Sequence, residues 1–245
     1  MKISAIICSI RVISVLLKII SNYEGKKINP KDISQIIKIL REEVKKFQLP
    51  IVSEIANRER NPYHVLISCL LSLRTKDEVT AKASRRLFSL ANSPSAMIKL
   101  SIDKITKTIY PVGFYNTKAR NIIDISKTLI EKYNSKVPDT IDELLKFKGV
   151  GRKTANLVVT VGYQKPGICV DTHVHRISNR FGFVKTKTPV ETEFALREKL
   201  PRRYWIEYND LLVTYGQNIC KPISPHCSHC KINRYCDKVG VTKHR

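Results

Sequence analysis

Four cysteines lie close together near the C-terminal end of the chain and could hold a metal centre. Cys220, Cys227, Cys230 and Cys236 are separated by six, two and five residues. Deprotonated thiols bind zinc and iron–sulfur clusters, and four thiols in so short a segment are rarely left without a ligand. The grouping does not fit a disulfide framework spread through a secreted domain. The residues alone predict a compact metal-binding loop, and both zinc and iron–sulfur are open.

A second group of residues combines glycines with cations in LLKFKGVGRKTANLVV, residues 144–159. Gly149 and Gly151 predict a tight turn between two short helices, because glycine permits backbone angles that a Cβ forbids. The second helix would begin at once, so its first N–H groups, with Lys148 and Arg152, are expected to hold a phosphate. A plain helix–helix turn is the alternative interpretation. Two glycines, three cations and a helix start within a few residues favour phosphate binding.

The balance of charge indicates a polyanionic partner. Forty-four Lys and Arg residues against twenty-one Asp and Glu give a net charge of +23, which is far more than solubility requires. The excess favours nucleic acid or an acidic membrane as the partner, although a strongly solvated surface could also carry it.

The N-terminal segment is easily mistaken for a targeting sequence. Residues 3–20 are largely apolar, but Arg11 and Lys18 interrupt them and no small-residue cleavage site follows. Their Ile and Leu positions recur at helical spacing, which predicts an amphipathic helix rather than a signal peptide or a membrane span. We therefore expect an intracellular, cytoplasmic protein that does not cross a membrane.

Apolar residues recur at helical spacing along most of the remaining chain, which predicts an all-α fold. Residues 33–47 carry one apolar face, and the helix that Pro62 opens is apolar on nearly every side, so it should be central to a core. Thr75 or Asp77 is expected to cap the next helix, and residues 138–140 predict a stop and a restart. Further helices are predicted near 95–100, 102–110, 117–133, 172–181, 190–200 and 204–220.

The segment LKFKGVGRKTANLVV, followed by VDTHVHRISNRFGF, resembles the helix-hairpin-helix signature and the Gly/Pro-Asp loop of the endonuclease III family of DNA glycosylases. The resemblance runs from about Pro62 to Cys236. It implies two all-α lobes. Residues 55–165 would form a six-helix barrel that contains the hairpin (144–159), and residues 31–54 and 166–245 would form a discontinuous iron–sulfur domain. Residues 1–30 would be an apolar extension.

Lys153 stands where the family carries its catalytic lysine, and Asp171 matches the aspartate that faces it. A lysine at its ordinary pKa is protonated and cannot attack carbon. Beside Lys148, Arg152 and a helix N-terminus we expect its charged form to be disfavoured and its pKa to be lowered. The neutral amine would displace a base from C1′ of the sugar as a Schiff base, and β-elimination would follow. A phosphate contact for Lys153 and a helix N-cap for Asp171 are the simpler alternatives.

Two further loops match those with which the family fills the gap left by an extruded base. In LLSLRTKDEVT this chain has Arg74 where glutamine is usual, and in VGFYNTKARNI it has Phe114 where leucine is more usual. Both side chains are able to stack between bases. A place in the hydrophobic core is the alternative for Phe114, and the arginine leaves the opposite-base preference open.

The spacing of the four cysteines is that of the family's 4Fe–4S loop, so the resemblance implies this cofactor. Zinc remains the alternative that thiol chemistry alone allows. The other cysteines, Cys8, Cys69 and Cys169, have apolar neighbours in the sequence and are expected to be buried thiols.

These features together predict a bifunctional DNA glycosylase and AP lyase of base excision repair. It would remove oxidised pyrimidines from double-stranded DNA and act as a monomer associated with the nucleoid. A monofunctional mismatch glycosylase shares the fold, but it typically lacks a lysine at position 153. A non-catalytic helix-hairpin-helix protein would need neither the Lys153–Asp171 pair nor the base-flipping loops, and a zinc-bearing nucleic-acid adaptor is a further alternative.

Overall fold

The computed structural model describes residues 30–59 and 61–245, and this part of the chain is helical with no β-strand, as predicted. The α-helices in chain order are α1 (Pro30–Val44), α2 (Ile51–Glu59), α3 (Pro62–Ser72), α4 (Asp77–Leu90), α5 (Pro94–Met97), α6 (Ile102–Ile109), α7 (Tyr115–Tyr133), α8 (Ile141–Leu144), α9 (Arg152–Leu157), α10 (Thr172–Arg180), α11 (Pro189–Lys199) and α12 (Trp205–Asn218). A π-helical turn (Val158–Gly162) continues α9, and 3₁₀ turns occur at Arg202–Tyr204, Cys227–His229 and Asn233–Tyr235.

The predicted N-terminal amphipathic helix and Cys8 lie outside the described residues. Among the described helices, none combines the length and the apolar composition that a bilayer span requires.

The buried apolar side chains form two groups, which we call the first core and the second core. The first core lies among α2–α9 and is built around α3, in which every residue from Tyr63 to Leu71 is buried. Helices α2, α4, α7 and α9 and the π-helical turn all contact α3, so a helix that is apolar on nearly every side finds partners on every side. Pro62 occupies its first turn, and Asn61 caps it by accepting the Tyr63 backbone N–H at 2.9 Å.

The second core packs α1 against α10, α11 and α12 and against the C-terminal loop. The predicted apolar face of α1 is buried, with Ile33, Ile36, Ile37 and Leu40 fully inaccessible. These side chains lie in one core with Tyr208 and Tyr215 of α12, which are also inaccessible.

The segment before α10 joins the two cores. Ile168 and Val170 belong to the second core, whereas Cys169 between them belongs to the first. Alternate side chains of an extended chain point in opposite directions, so one short stretch is anchored on both sides. Asp171 follows directly and is therefore held at the junction of the two cores.

Helix α2 is not predicted by the sequence analysis, and the predicted domain boundary between residues 54 and 55 falls inside it. Its Val52 and Ala56 pack in the first core, while the Ser53 hydroxyl donates to the Asp210 carboxylate of α12 at 2.7 Å. Nine residues give too short a periodic pattern to predict the helix, which is held by contacts with distant residues. The domain boundaries remain a prediction.

The predicted cap of α4 is wrong. Lys76 is the N-cap residue, and its side chain makes no capping hydrogen bond. The Thr75 hydroxyl instead accepts the backbone N–H of Gly113, 38 residues further along the chain, at 3.1 Å. A contact with the neighbouring loop thus replaces the local cap.

Candidate active site

Lys153 and Asp171 meet where the two cores join. Lys153 is the second residue of α9, and Asp171 is the N-cap of α10, where its Oδ1 accepts the backbone N–H groups of His173 at 2.8 Å and Val174 at 3.0 Å. The other oxygen, Oδ2, lies 3.4 Å from the Lys153 ammonium. The Lys153 side chain is 45% exposed and that of Asp171 only 9%. One carboxylate therefore caps a helix and also faces an accessible amine.

The pKa of Lys153 is raised, so the lowered pKa expected from the sequence is wrong. Burial lowers the pKa, but the attraction of the Asp171 carboxylate outweighs burial. Arg152, one of the cations expected to repel the ammonium, donates two hydrogen bonds to Glu193, at 2.8 and 2.6 Å. The sequence pattern shows the cations near Lys153 but not the distant carboxylates that compensate them.

The turn between α8 and α9 places different demands on its two glycines. Gly149 has a φ of +84°, and a Cβ there would lie 2.6 Å from the Asn121 side-chain nitrogen, so both backbone angle and space require glycine. Gly151 has an ordinary φ of −100°, which corrects the expectation of a special backbone angle. A Cβ at Gly151 would meet nothing within 4 Å, so this face of the turn is open to another molecule. Lys148 is exposed beside it.

Arg152 is bound to its own protein. Its partner Glu193 is 3% exposed and also accepts hydrogen bonds from Arg197, while the Arg152 guanidinium lies 5.0 Å from the centre of the Phe194 ring. A phosphate contact for Arg152 therefore stays a prediction. Glu193 was not predicted as a site residue. Its four-residue spacing from Arg197 predicts only a surface ion pair, not a buried carboxylate shared by two arginines.

The two predicted gap-filling residues lie together. The Arg74 guanidinium stands 4.9 Å from the centre of the Phe114 ring, and both residues have left-handed backbone angles, with φ of 53° and 59°. Phe114 is 59% exposed, so its alternative interpretation as a core residue is wrong.

A buried lysine, also missed by the sequence analysis, lies behind this pair. Lys118 is 6% exposed, and its ammonium donates to the Leu71 carbonyl at 2.9 Å, the Leu73 carbonyl at 2.6 Å and the Thr75 hydroxyl at 3.3 Å. Burial lowers the pKa of Lys118 to about 8. A signal was present in the sequence: Lys118 precedes Ile122 by four residues, on the apolar face of the predicted helix.

Lys153 and Asp171 line two cavities. The first cavity is also lined by Thr75 and Asp77, which lie in or next to the loop that carries Arg74. Polar side chains of α12, among them Gln217, line it as well. The other opens toward the hairpin and is lined by Gly151, Arg152, Val190 and Glu193, among others. The amine and the carboxylate thus stand between a polar recess and the open face of the turn.

The four clustered cysteines line one cavity, whose other walls include Ile177, Phe181, Tyr215 and Ile232. Three of the sulfurs accept hydrogen bonds, Cys230 from the Tyr215 hydroxyl at 3.2 Å, Cys236 from the Lys238 backbone N–H at 3.4 Å and Cys220 from Arg180 at 3.5 Å. Within residues 30–59 and 61–245, no three His, Cys, Asp or Glu side chains are grouped as they would be around a single metal ion. Cys69 and Cys169 are buried, as predicted.

Comparison with known proteins identifies the family. Residues 67–202 match the family model of the HhH-GPD superfamily base excision DNA repair proteins. Endonuclease III of Thermotoga maritima is 49% identical over 74% of this chain and 85% of its own length. The chloroplastic endonuclease III homolog 2 of Arabidopsis thaliana is 44% identical over 71% of this chain, which spans 47% of that longer protein.

A solved structure of a trapped endonuclease III–DNA covalent intermediate, in an estranged-adenine complex, has the same fold. It superimposes with a TM-score of 0.77 at 33% identity and covers 86% of this chain and 97% of its own. Sequence and fold agree, and the chain belongs to the endonuclease III family of the HhH-GPD base excision DNA repair proteins.

Proposed function

We propose that this chain is a bifunctional DNA glycosylase and AP lyase in which Lys153 is the nucleophile and Asp171 the proton-transfer group. The observation that carries the proposal is the 3.4 Å approach of the Lys153 ammonium to a fixed carboxylate oxygen. The pair stands between a polar cavity and an open glycine turn. Because 45% of the Lys153 side chain is exposed, a substrate is able to reach the amine.

The reaction begins with removal of a proton from Lys153, for which Asp171 Oδ2 is the acceptor within reach. The neutral amine forms a bond to C1′, and the base departs with the electrons of its glycosidic bond and takes up a proton. After loss of the second amine proton, the nitrogen lone pair forms the C=N bond of the Schiff base, and O4′ leaves C1′ with the bond's electron pair and takes up a proton. Removal of a C2′ proton then expels the 3′ phosphate with the C3′–O electron pair, and water releases the lysine.

The polar cavity beside Lys153 is the proposed pocket for the extruded base. Hydroxyl, carboxylate and amide groups from Thr75, Asp77, Asn209 and Gln217 line it and are able to read the hydrogen-bonding edge of a base. Oxidised or ring-broken pyrimidines, and sugars that have already lost their base, are the proposed substrates. Arg74 and Phe114 would fill the gap that the extruded nucleotide leaves.

Double-stranded DNA is the proposed partner of the hairpin face. Gly149, Gly151 and Lys148 are exposed there, and the chain carries a net charge of +23. Neutralised phosphates release counterions, so affinity should fall steeply as salt rises. A flat response to salt would contradict this binding mode. Because the proposed substrate is genomic DNA, association with the nucleoid is part of the proposal. The protein is also proposed to act as a monomer in the cytoplasm.

A 4Fe–4S cluster is the cofactor proposed for Cys220, Cys227, Cys230 and Cys236. Four thiols around one cavity with apolar walls, with N–H and O–H donors directed at three of the sulfurs, suit a bound iron–sulfur group. When bound, it would cross-link the C-terminal loop rather than act on the sugar. Purified protein should be brown and contain iron and sulfide. Stoichiometric zinc without iron would contradict this assignment.

Borohydride trapping on a duplex with a single abasic site tests the proposed nucleophile. Borohydride reduces a Schiff base to a stable amine, so wild-type protein should form a covalent adduct. Lys153→Ala should form none, and Asp171→Asn should trap poorly. Lys127→Ala, which removes an exposed lysine of α7, is the matched control and should trap like wild type. Equal trapping by Lys153→Ala would refute the proposal.

A further inference from the structure

The two loops that carry Arg74 and Phe114 lie in close contact, and we call residues 73–76 and 110–114 the paired loops. A Cβ at Gly113 would lie 2.6 Å from the Arg74 carbonyl oxygen, and the Gly113 N–H donates to the Thr75 hydroxyl. Arg86 of α4 supports the second loop by donating to the Thr108 carbonyl at 2.9 Å and the Tyr110 carbonyl at 2.7 Å.

Lys118 lies at the centre of this arrangement. It is the fourth residue of α7, the helix that begins directly after Phe114. Its ammonium donates to the Leu71 carbonyl at the end of α3 and to the Leu73 carbonyl in the loop that carries Arg74. It also donates to the Thr75 hydroxyl, which accepts from the second loop. The buried amine therefore binds the backbone before Arg74 directly, and it reaches the second loop through the Thr75 hydroxyl.

Both tip residues have backbone angles that non-glycine residues seldom adopt. Such conformations persist only where the surrounding structure holds them. The guanidinium of Arg74 nevertheless lies over the Phe114 ring at 4.9 Å, with both side chains exposed. The backbones of Arg74 and Phe114 are thus held by the surrounding structure, while their stacked side chains are exposed where DNA would contact them.

We infer that Arg74 and Phe114 enter the duplex as one preassembled stack, and that Lys118 is the positioning residue that holds the paired loops in register. The inference rests on the proposed function and adds how the gap is filled. Loops that are already ordered lose less conformational entropy on binding, which favours DNA opening. Phe114 stacks against neighbouring bases, and Arg74 presents hydrogen-bond donors to the orphaned base.

The test compares Lys118→Met with Lys127→Met, which removes an exposed lysine from the same helix. Each variant is assayed on a duplex with an oxidised pyrimidine, and by borohydride trapping on single-stranded abasic DNA, which has no gap to fill. We expect Lys118→Met to lose about tenfold to a hundredfold in duplex excision, because small misplacements have effects of this size. Trapping on the single strand should stay within about twofold of wild type. Lys127→Met should match wild type in both assays.

A second readout reports gap filling directly. With 2-aminopurine opposite an abasic site, insertion of the stack should change its fluorescence on binding wild-type protein, and Lys118→Met should reduce that change. Circular dichroism checks the fold. If Lys118→Met does not fold, Lys118→Gln, which keeps a shorter hydrogen-bond donor at the buried site, is measured instead. The single variants Arg74→Ala and Phe114→Ala and their double variant should be non-additive, since either change removes the stack.

The inference is overturned if wild type is active and Lys118→Met equals it on the duplex and in fluorescence. It is also overturned if single-strand trapping falls as far as duplex excision, because Lys118 would then support the chemistry or the fold in general. If wild type traps neither substrate, the proposed nucleophile fails. The fluorescence change still reports in that case whether the stack enters DNA.

Discussion

Two lysines near the proposed DNA-binding surface differ in almost every physical respect. Lys153, in the hairpin region, is 45% exposed and faces the Asp171 carboxylate, and its pKa is raised. Lys118, behind the paired loops, is 6% exposed and donates to two carbonyls and a hydroxyl, and its pKa is lowered to about 8. Burial without a charged partner disfavours the ammonium, whereas a nearby carboxylate stabilises it.

A lowered pKa by itself would identify the wrong lysine as the nucleophile. Lys118 loses its proton more easily, but its nitrogen is enclosed by the three oxygens to which it donates. Lys153 holds its proton more tightly, but it has an accessible nitrogen and an adjacent proton acceptor. An accessible amine and a nearby proton acceptor therefore identify Lys153 as the nucleophile. Its ammonium loses a proton during the reaction.

Lys153→Arg should have the largest effect. Arginine keeps the positive charge but stays protonated and forms no Schiff base, so trapping should fall by more than about a thousandfold. DNA binding in a gel-shift assay should change little. Lys118→Arg is the matched exchange and should still trap on single-stranded abasic DNA. The reverse pattern would make Lys118 the nucleophile.

Asp171→Asn should have the next largest effect and separates the two roles of this side chain. Asparagine can still cap α10, because its oxygen accepts the same backbone N–H groups. Without the carboxylate, burial dominates and the pKa of Lys153 should fall, so the trapping rate should reach half of its maximum at a lower pH. The maximum itself should drop by about a hundredfold or more, since proton transfer is lost. An unchanged or higher midpoint of the pH profile would contradict this account.

Glu193→Gln tests whether the ion pairs of Glu193 with Arg152 and Arg197 stabilise the fold. Burial alone would raise the pKa of Glu193, but hydrogen bonds from Arg152 and Arg197 lower it overall. The ionised carboxylate therefore stabilises the fold at any pH above the pKa that Glu193 has in the unfolded chain. This stabilisation is lost as the pH falls through the lower pKa of Glu193 in the folded state. We expect urea denaturation at pH 7 to show a loss of about 2–3 kcal/mol, which shrinks in acid. A loss that persists undiminished in acid would argue against the ion pair.

Lys118→Met should show the smallest and most specific effect, a pH-dependent difference in stability. Because the pKa of Lys118 is lower in the folded state, the unfolded chain binds more protons between about pH 8 and pH 10.5. Wild type should therefore gain stability relative to Lys118→Met as pH rises across this range, by up to about 1.4 kcal/mol for each pH unit. Denaturation of both proteins at several pH values measures the gain, and a loss instead would show that the hydrogen bonds of the folded site favour the ammonium.

Features that depend on a local pattern could be predicted from the sequence. Helical spacing predicted the apolar face of α1 and the all-apolar α3, because residues three and four apart share one side of a helix. The cysteine spacing, the glycine turn and the position of Asp171 before a helix were likewise readable along the chain. In each case the interacting groups lie within a few turns of one another, so order and spacing carry the information.

The contacts between residues that are distant in sequence could be assigned only from the three-dimensional structure. Arg152 meets Glu193 across 41 residues, Lys118 reaches Thr75 across 43, and Arg74 stacks on Phe114 from another loop. No periodic pattern encodes such pairs, because they arise when separate helices pack around a common core. Electrostatic energy depends on distance in space rather than along the chain. The pKa of Lys153 is therefore raised by a carboxylate 18 residues away, although the neighbouring cations in the sequence predicted that it would be lowered.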